Sequence, residues 1–298
     1  MSASVQTAAS ARSLPQLGAV AQLLKPITWF PPMWAFVCGT ISAGRPAAGH
    51  WPQIILGVAL AGPLVCATSQ AANDWYDRHV DAINEPNRPI PSGRIPGQWG
   101  LYIALGWTLL SLVVAASLGT VCLVAGCIGL ALAWAYSAPP LRLKQNGWWG
   151  NAACGACYEG LPWVTGAAIL LGHLPGWPIL VAAALYSLGA HGIMTLNDFK
   201  SVEGDLAMGI RSLPAQLGVN RAAVVACVAM AAPQGVVMVL LSAAGKPIHA
   251  AAVGGVLFAQ VLLMRRLLTQ PKELAPWYNG TGITLYVAGM MITAFALR

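Results

Sequence analysis

Long apolar runs separated by short polar stretches dominate this chain. A helix crosses the hydrocarbon core of a bilayer with about twenty apolar residues. Nine runs of roughly that length occur, near 22–43, 52–73, 98–117, 119–136, 151–172, 177–197, 220–242, 248–268 and 278–297. Pro31, Pro32, Pro63 and Pro162 fall inside these runs. Membrane helices tolerate such residues, because neighbouring groups re-satisfy the freed backbone, so kinks are expected there. Trp51, Trp75, Trp99, Trp148, Trp149, Trp177 and Trp277 stand near the predicted span ends, where an amphipathic ring favours the headgroup region. The pattern predicts an all-α integral membrane protein of nine transmembrane helices. Composition agrees: 57% of the side chains are hydrophobic and only 8% are charged, which excludes an ordinary water-soluble domain.

Charge gives the orientation, since Lys and Arg accumulate in cytoplasmic loops. With the N-terminus inside, Arg12, Lys25, Arg78, Arg88, Arg94, Arg142, Lys144, Lys200, Arg211, Arg221, Arg265, Arg266 and Lys272 all face the cytoplasm. Only Arg45, Lys246 and Arg298 face the other side. The net charge of +7 is thereby explained by topology and by anionic lipid, and nucleic acid is not expected as a partner. Residues 1–20 carry one Arg and no apolar core of signal-peptide length, so a flexible N-terminal segment is expected before a single polytopic domain over 21–298. A bacterial inner membrane, cytoplasmic or intracytoplasmic, fits this chain, with the C-terminus on the side opposite the N-terminus. Seven Cys lie within the runs and give no disulfide framework, and the CGAC of Cys154 and Cys157 is followed by Tyr158, not by the His of haem attachment.

A duplicated polar device interrupts the apolar pattern. Asn73-Asp74-Trp75, with Asp81 closing the ninth position, recurs as Asn197-Asp198-Phe199, with Asp205 closing the ninth. A basic turn follows each: Arg88-Pro89-Ile90-Pro91 and Arg211-Ser212-Leu213-Pro214. Both copies follow a predicted span and fall on the predicted cytoplasmic side. On a helix Asn73, Asp77 and Asp81 stand at i, i+4 and i+8 and project along one face, and the seven-residue spacing of Asp198 and Asp205 also returns to one face. Two such acidic ladders at a membrane boundary repel unless cations lie between them. Hard divalent cations take oxygen ligands, and magnesium completes its octahedron with water and phosphate oxygens. Carboxylates beside Arg78, Arg88 and Lys200 therefore suggest a diphosphate held through Mg2+. A transporter would place its acids near the midplane, whereas here they cluster at span ends. A non-catalytic binding or assembly protein of the membrane would not require two such motifs.

NDWYDRHVDAINEPNRPIPSG, at 73–93, and NDFKSVEGD, at 197–205, resemble the two Asp-rich motifs of the UbiA superfamily of membrane prenyltransferases. The wording is most similar to the chlorophyll and bacteriochlorophyll synthase branch, and RPIPSG, AYSAPPLRLK and YEGLP extend the match from about residue 20 to the C-terminus. HGIMTLNDFK and PWYNGTGITLYVAGM incline it towards the bacteriochlorophyll side. The resemblance implies a UbiA-type bundle with two pseudo-repeated halves around a central cavity. It further implies Mg2+-dependent transfer of a C20 prenyl group from geranylgeranyl or phytyl diphosphate to bacteriochlorophyllide, with chlorophyllide or an aromatic acceptor as the alternatives. Membrane lipid and other pigment-biosynthesis or photosystem-assembly proteins complete the expected partners.

The same resemblance implies that Asn73, Asp77, Asp81, Asp198 and Asp205 hold the metal, the four Asp being the catalytic set. Asn73, Asp74, Arg78, Arg88, Tyr136, Arg142, Lys144, Asn197 and Lys200 would bind substrate. Ser201 departs from the family pattern, which often has another Asp there, and Glu203 or a bridging water is the expected substitute. His191, two turns before Asp198, is a candidate axial ligand for the magnesium of a tetrapyrrole.

Overall fold

The computed structural model describes residues 14–298, so the expectations placed on residues 1–13, Arg12 among them, lie outside the described residues. Within those residues the chain is helical and forms no β-strand. Helices α1 (Leu17–Leu24), α2 (Phe30–Ser42), α3 (Trp51–Asn84), α4 (Trp99–Ser117), α5 (Thr120–Ser137), α6 (147–171) and α7 (Trp177–Asn197) come first. The short α8 (Val202–Ala207) and α9 (Leu213–Leu217) then precede α10 (Val219–Ala243), α11 (Pro247–Leu267) and α12 (Pro271–Leu297).

Seven of these, α3, α4, α5, α7, α10, α11 and α12, are long and apolar enough to cross a membrane, against the nine spans expected. The first expected span, 22–43, is divided: Lys25 adopts a left-handed backbone (φ 47°), Pro26 follows, and a 3-10 turn separates α1 from α2. The fifth, 151–172, is continuous helix in α6 but carries Asn151 and a buried Glu159 in its first half. All seven cysteines are free, as expected.

The chain forms two compact units: residues up to Met33 together with Ile55–Arg142, and Trp34–Ile54 together with Leu143–Arg298. In the first, α3 packs on α1, α4 and α5, and Ala67, Ala71, Ala72 and Ala104 are small side chains that let helices approach closely in lipid. Pro63 has no N–H to continue the helical ladder, and Leu60–Cys66 relaxes into a π segment. The Pro63 carbonyl is taken instead by the Trp107 indole at 3.0 Å, so the kink expected from sequence is re-satisfied by a neighbouring helix.

The second unit is stitched by close glycine contacts and buried polar bonds. A Cβ on Gly39 would meet the Trp163 carbonyl at 2.0 Å, and one on Gly155 the Ser187 carbonyl at 2.4 Å, so only glycine permits these crossings. Gln234 donates to Gln260 (2.6 Å), Gln260 donates to the Gly282 carbonyl (2.8 Å), and Tyr286 donates to the Tyr186 carbonyl (2.6 Å). These bonds satisfy polar groups that have no water to turn to.

Candidate active site

The first Asp motif occupies the last three turns of α3, where the apolar run gives way to polar residues. Asn73 donates to the Ser137 hydroxyl at the end of α5 (3.1 Å), Asp77 accepts from Arg142 Nη2 (3.2 Å), and Asp81 accepts from Arg88 Nη1 (2.9 Å). The one-face spacing expected of these three residues is what lets them meet partners from α5 and from the segments after α3 and α5. Asp74 is more deeply placed, with 2% of its side chain exposed. It accepts from Lys25 Nζ at 2.7 Å and stands 3.5 Å from Arg88 Nη1, while its Oδ2 has no hydrogen-bond partner. Arg88 is a hub: its Nε and Nη2 also bind Glu85 at 2.7 and 2.9 Å. Burial alone would lower the pKa of Arg88, but Glu85, Asp74 and Asp81 raise it well above its ordinary value, so the guanidinium stays charged.

Arg78 lies with its guanidinium 4.0 Å from the Trp75 ring centre and donates to the Trp75 carbonyl at 2.7 Å. Tyr136 is half-buried one residue before Ser137. Trp134, one turn back on α5, is held by Thr108 (3.0 Å) and meets Tyr76 edge-on at 6.3 Å. Arg142 has positive φ (38°), and its Nε is buried without a hydrogen-bond partner.

The second motif, in the other unit, is built differently. Asn197 ends α7 and its side-chain Oδ1 accepts from the Asn279 Nδ2 at 2.9 Å. Asp198 is hydrogen-bonded to Asn151 of α6, which also donates to Thr195 (3.2 Å). Asp205 is buried in α8 and accepts from Ser201 Oγ at 3.2 Å. At Ser201, where the resemblance implied another Asp, this chain supplies a hydroxyl donor to the neighbouring carboxylate. Glu203 does not stand in: its side chain is 85% exposed and pairs with Lys272 at 2.5 Å, which holds its pKa below the usual carboxylate range. Lys200 is exposed and Lys144 half-buried in a 3-10 turn. His191 lies with Nε2 3.3 Å from the Trp148 carbonyl and its ring 5.6 Å from the Trp148 ring.

Three residues of this framework escaped sequence reasoning: Lys25, Asn151 and Asn279. They sit 49, 44 and 82 positions from a bonded partner, and no local pattern marks the two asparagines. Lys25 alone carried a signal, as a cation just before Pro26 in an apolar run.

The donor set of the two motifs is carboxylate, amide and hydroxyl oxygen throughout, the ligand chemistry of a hard divalent cation. Among the described residues no three His, Cys, Asp or Glu side chains already converge as a metal cluster.

The pattern of the UbiA prenyltransferase family matches residues 24–289, a stretch that runs through both motifs. This chain belongs to the UbiA prenyltransferase family. It is 57% identical over 295 residues to the bacteriochlorophyll synthase 33 kDa chain of Cereibacter sphaeroides, covering 99% of this chain and 98% of that one. The chloroplastic chlorophyll synthase of Oryza sativa subsp. japonica is 40% identical, covering 92% of this chain and 75% of its own. Among solved structures, a UbiA homologue from Archaeoglobus fulgidus bound to GPP and Mg2+ superposes with a TM-score of 0.72. It covers 94% of this chain and 99% of its own at 19% identity, which shows a shared fold. The apolar helices and the family together make this a multi-pass membrane prenyltransferase.

Proposed function

We propose that this protein is a bacteriochlorophyll synthase, esterifying the propionate of bacteriochlorophyllide with a C20 prenyl group from geranylgeranyl or phytyl diphosphate. The observation that carries this reading is the near-full-length 57% identity to the Cereibacter sphaeroides synthase, against 40% to the rice chlorophyll synthase. The family match crosses both compact units, which supports one functional domain over 21–298 in place of two independent ones.

The residues divide the work. Asn73, Asp77, Asp81, Asp198 and Asp205 would hold Mg2+, whose contribution is to neutralise the diphosphate as negative charge develops on it. Lys25, Arg78, Arg88, Arg142, Lys144 and Lys200 supply the remaining positive charge and orient the diphosphate. Heterolysis of the allylic C1–O bond leaves its electron pair on the diphosphate, and a carboxylate oxygen of the acceptor then forms the new ester bond at C1. The propionate is ionised near neutral pH, with an ordinary carboxylic pKa of about 4, so no general base is required. The rings of Tyr136 and Trp134 are suited to stabilise the allylic cation, and lipid-bathed helices exclude the water that would quench it. His191 is the proposed ligand for the pigment magnesium.

The proposed setting is a bacterial inner or intracytoplasmic membrane, with nine crossings, a cytoplasmic N-terminus and the C-terminus opposite. Alternating placement of the basic residues supports it. Other pigment-biosynthesis or photosystem-assembly proteins are the proposed partners.

Purified protein, given Mg2+ and geranylgeranyl diphosphate with bacteriochlorophyllide, chlorophyllide and 4-hydroxybenzoate in parallel, tests the reading by product mass. Esterified bacteriochlorophyllide, abolished by EDTA, is expected. Prenylated 4-hydroxybenzoate alone would keep the family and overturn the pigment acceptor.

A further inference from the structure

The basic turns after the two motifs share a sequence pattern but not a role. Arg88 is engaged by three carboxylates. Its counterpart Arg211 is exposed, and among the described residues no carboxylate or hydrogen-bond acceptor engages its guanidinium. Its main chain, by contrast, is fixed on both sides. The Arg211 N–H donates to the Gln145 carbonyl (2.9 Å), and its carbonyl accepts from the Gly147 N–H (2.8 Å) and from the Gln216 amide. A Cβ on Gly147 would stand 2.5 Å from the Leu213 nitrogen, so glycine is required for this close pairing.

The pinned arginine borders a cavity of about 390 Å³, whose walls are Leu206, Gly209, Ile210, Ala215, Gln216 and Leu217. The cavity joins an apolar floor to one unneutralised cation. Its depth in the bilayer is marked by the next helix: Gly147, bonded to Arg211, begins α6, and Trp148 and Trp149 follow it 45% and 67% exposed, as indoles at headgroup level are.

We propose that this cavity binds the headgroup of an anionic phospholipid, its phosphate on the Arg211 guanidinium and its glycerol and upper acyl carbons against Leu206, Ile210 and Leu217. A guanidinium matches phosphate with paired N–H donors, and a fixed backbone keeps little of that geometry to be ordered on binding. Leu206 directly follows Asp205, whose carbonyl accepts from Ile210 N–H at 2.8 Å, so an occupied cavity braces the second motif.

The test is native mass spectrometry of the full chain released from nanodiscs of phosphatidylglycerol and phosphatidylcholine in equal amounts, comparing wild type, Arg211→Gln and Arg221→Gln. Arg221 is exposed on α10 outside the cavity. Wild type and Arg221→Gln should retain phosphatidylglycerol in preference, and Arg211→Gln should lose about five-fold of that preference, the share of one arginine at an anionic surface. An Arg211→Lys variant should recover part of it and confirms that the loop still folds. Equal losses in both glutamine variants, or none in either, overturn the site. Displacement of the lipid by geranylgeranyl diphosphate or by bacteriochlorophyllide would reassign the cavity to a substrate. None of these readouts depends on catalysis, so they stand apart from the acceptor assay.

Discussion

The two Asp motifs are near repeats in sequence, yet the first is held by cations and the second by neutral donors. Asp74, Asp77 and Asp81 are met by Lys25, Arg142 and Arg88, whereas Asp198 and Asp205 are met by Asn151 and Ser201. Asp198 and Asp205 repel each other, with Lys200 as a weaker offset. The first motif is thus close to charge-balanced by its own chain, and the second keeps uncompensated negative charge. The difference teaches that a duplicated acidic pattern need not have duplicated surroundings: the second motif calls more strongly for an external cation, and the first is already a mixed acid and base surface.

The sharpest test pairs Asp77→Asn with Asp198→Asn. Both should lower kcat by about 10²–10³-fold, the scale of losing one electrostatic contact in a reaction that depends on leaving-group charge. They should part in stability, measured by thermal unfolding in detergent with EDTA. Asp77→Asn removes the anion beside Arg142, whose Nε is already unpartnered, and should lower Tm. Asp198→Asn removes a repulsion and should leave Tm equal or higher. Equal Tm losses would erase the distinction between the motifs.

Next in size is Lys25→Met. Asp74 then keeps only Arg88 at 3.5 Å, and a 2%-exposed carboxylate is left short of a partner at a cost of about 2–3 kcal/mol. Adding Asp74→Asn to Lys25→Met should recover much of that stability. A double variant no more stable than Lys25→Met would show that Lys25 matters by closing the end of α1 and not through its charge.

How much of this was legible follows from where each partner lies. The acidic ladders are local, spaced by the helical turn, and could be read at once; seven of the nine expected spans likewise declare themselves by length and hydropathy. The other two do not declare themselves in this way, each for its own reason. Lys25 and Pro26 divide the first expected span, and Asn151 and Glu159 dilute the fifth with polar groups that have structural partners or burial to account for them. The asymmetry between motifs was not legible, because it is made by Lys25, Asn151 and Asn279, brought in from other helices. Asn151 is read by a smaller experiment: Asn151→Ala should destabilise by about 1–2 kcal/mol, since it strips a donor from Asp198 and from Thr195 together. Its activity loss should be smaller than that of Asp198→Asn, as expected of a positioning residue.

The smallest effect belongs to Glu203, and its sign with pH is informative. Glu203 is fully solvent-facing, and its pKa is lowered by the hydrogen bond and charge of Lys272. A carboxylate with a depressed folded pKa contributes stability that is present above its ordinary value of 4.5 and lost as pH falls through the folded value. Glu203→Gln should therefore trail wild type slightly in Tm at neutral pH and converge with it under acid, with activity and Mg2+ requirement unchanged. Salt should close the same small gap, because an exposed pair is screened. A raised Mg2+ requirement in Glu203→Gln would instead enrol this residue as the missing ligand at the Ser201 position. The second motif would then reach its full acidic complement by turning Glu203 away from Lys272, and Ser201 would lose its standing as the donor that completes Asp205.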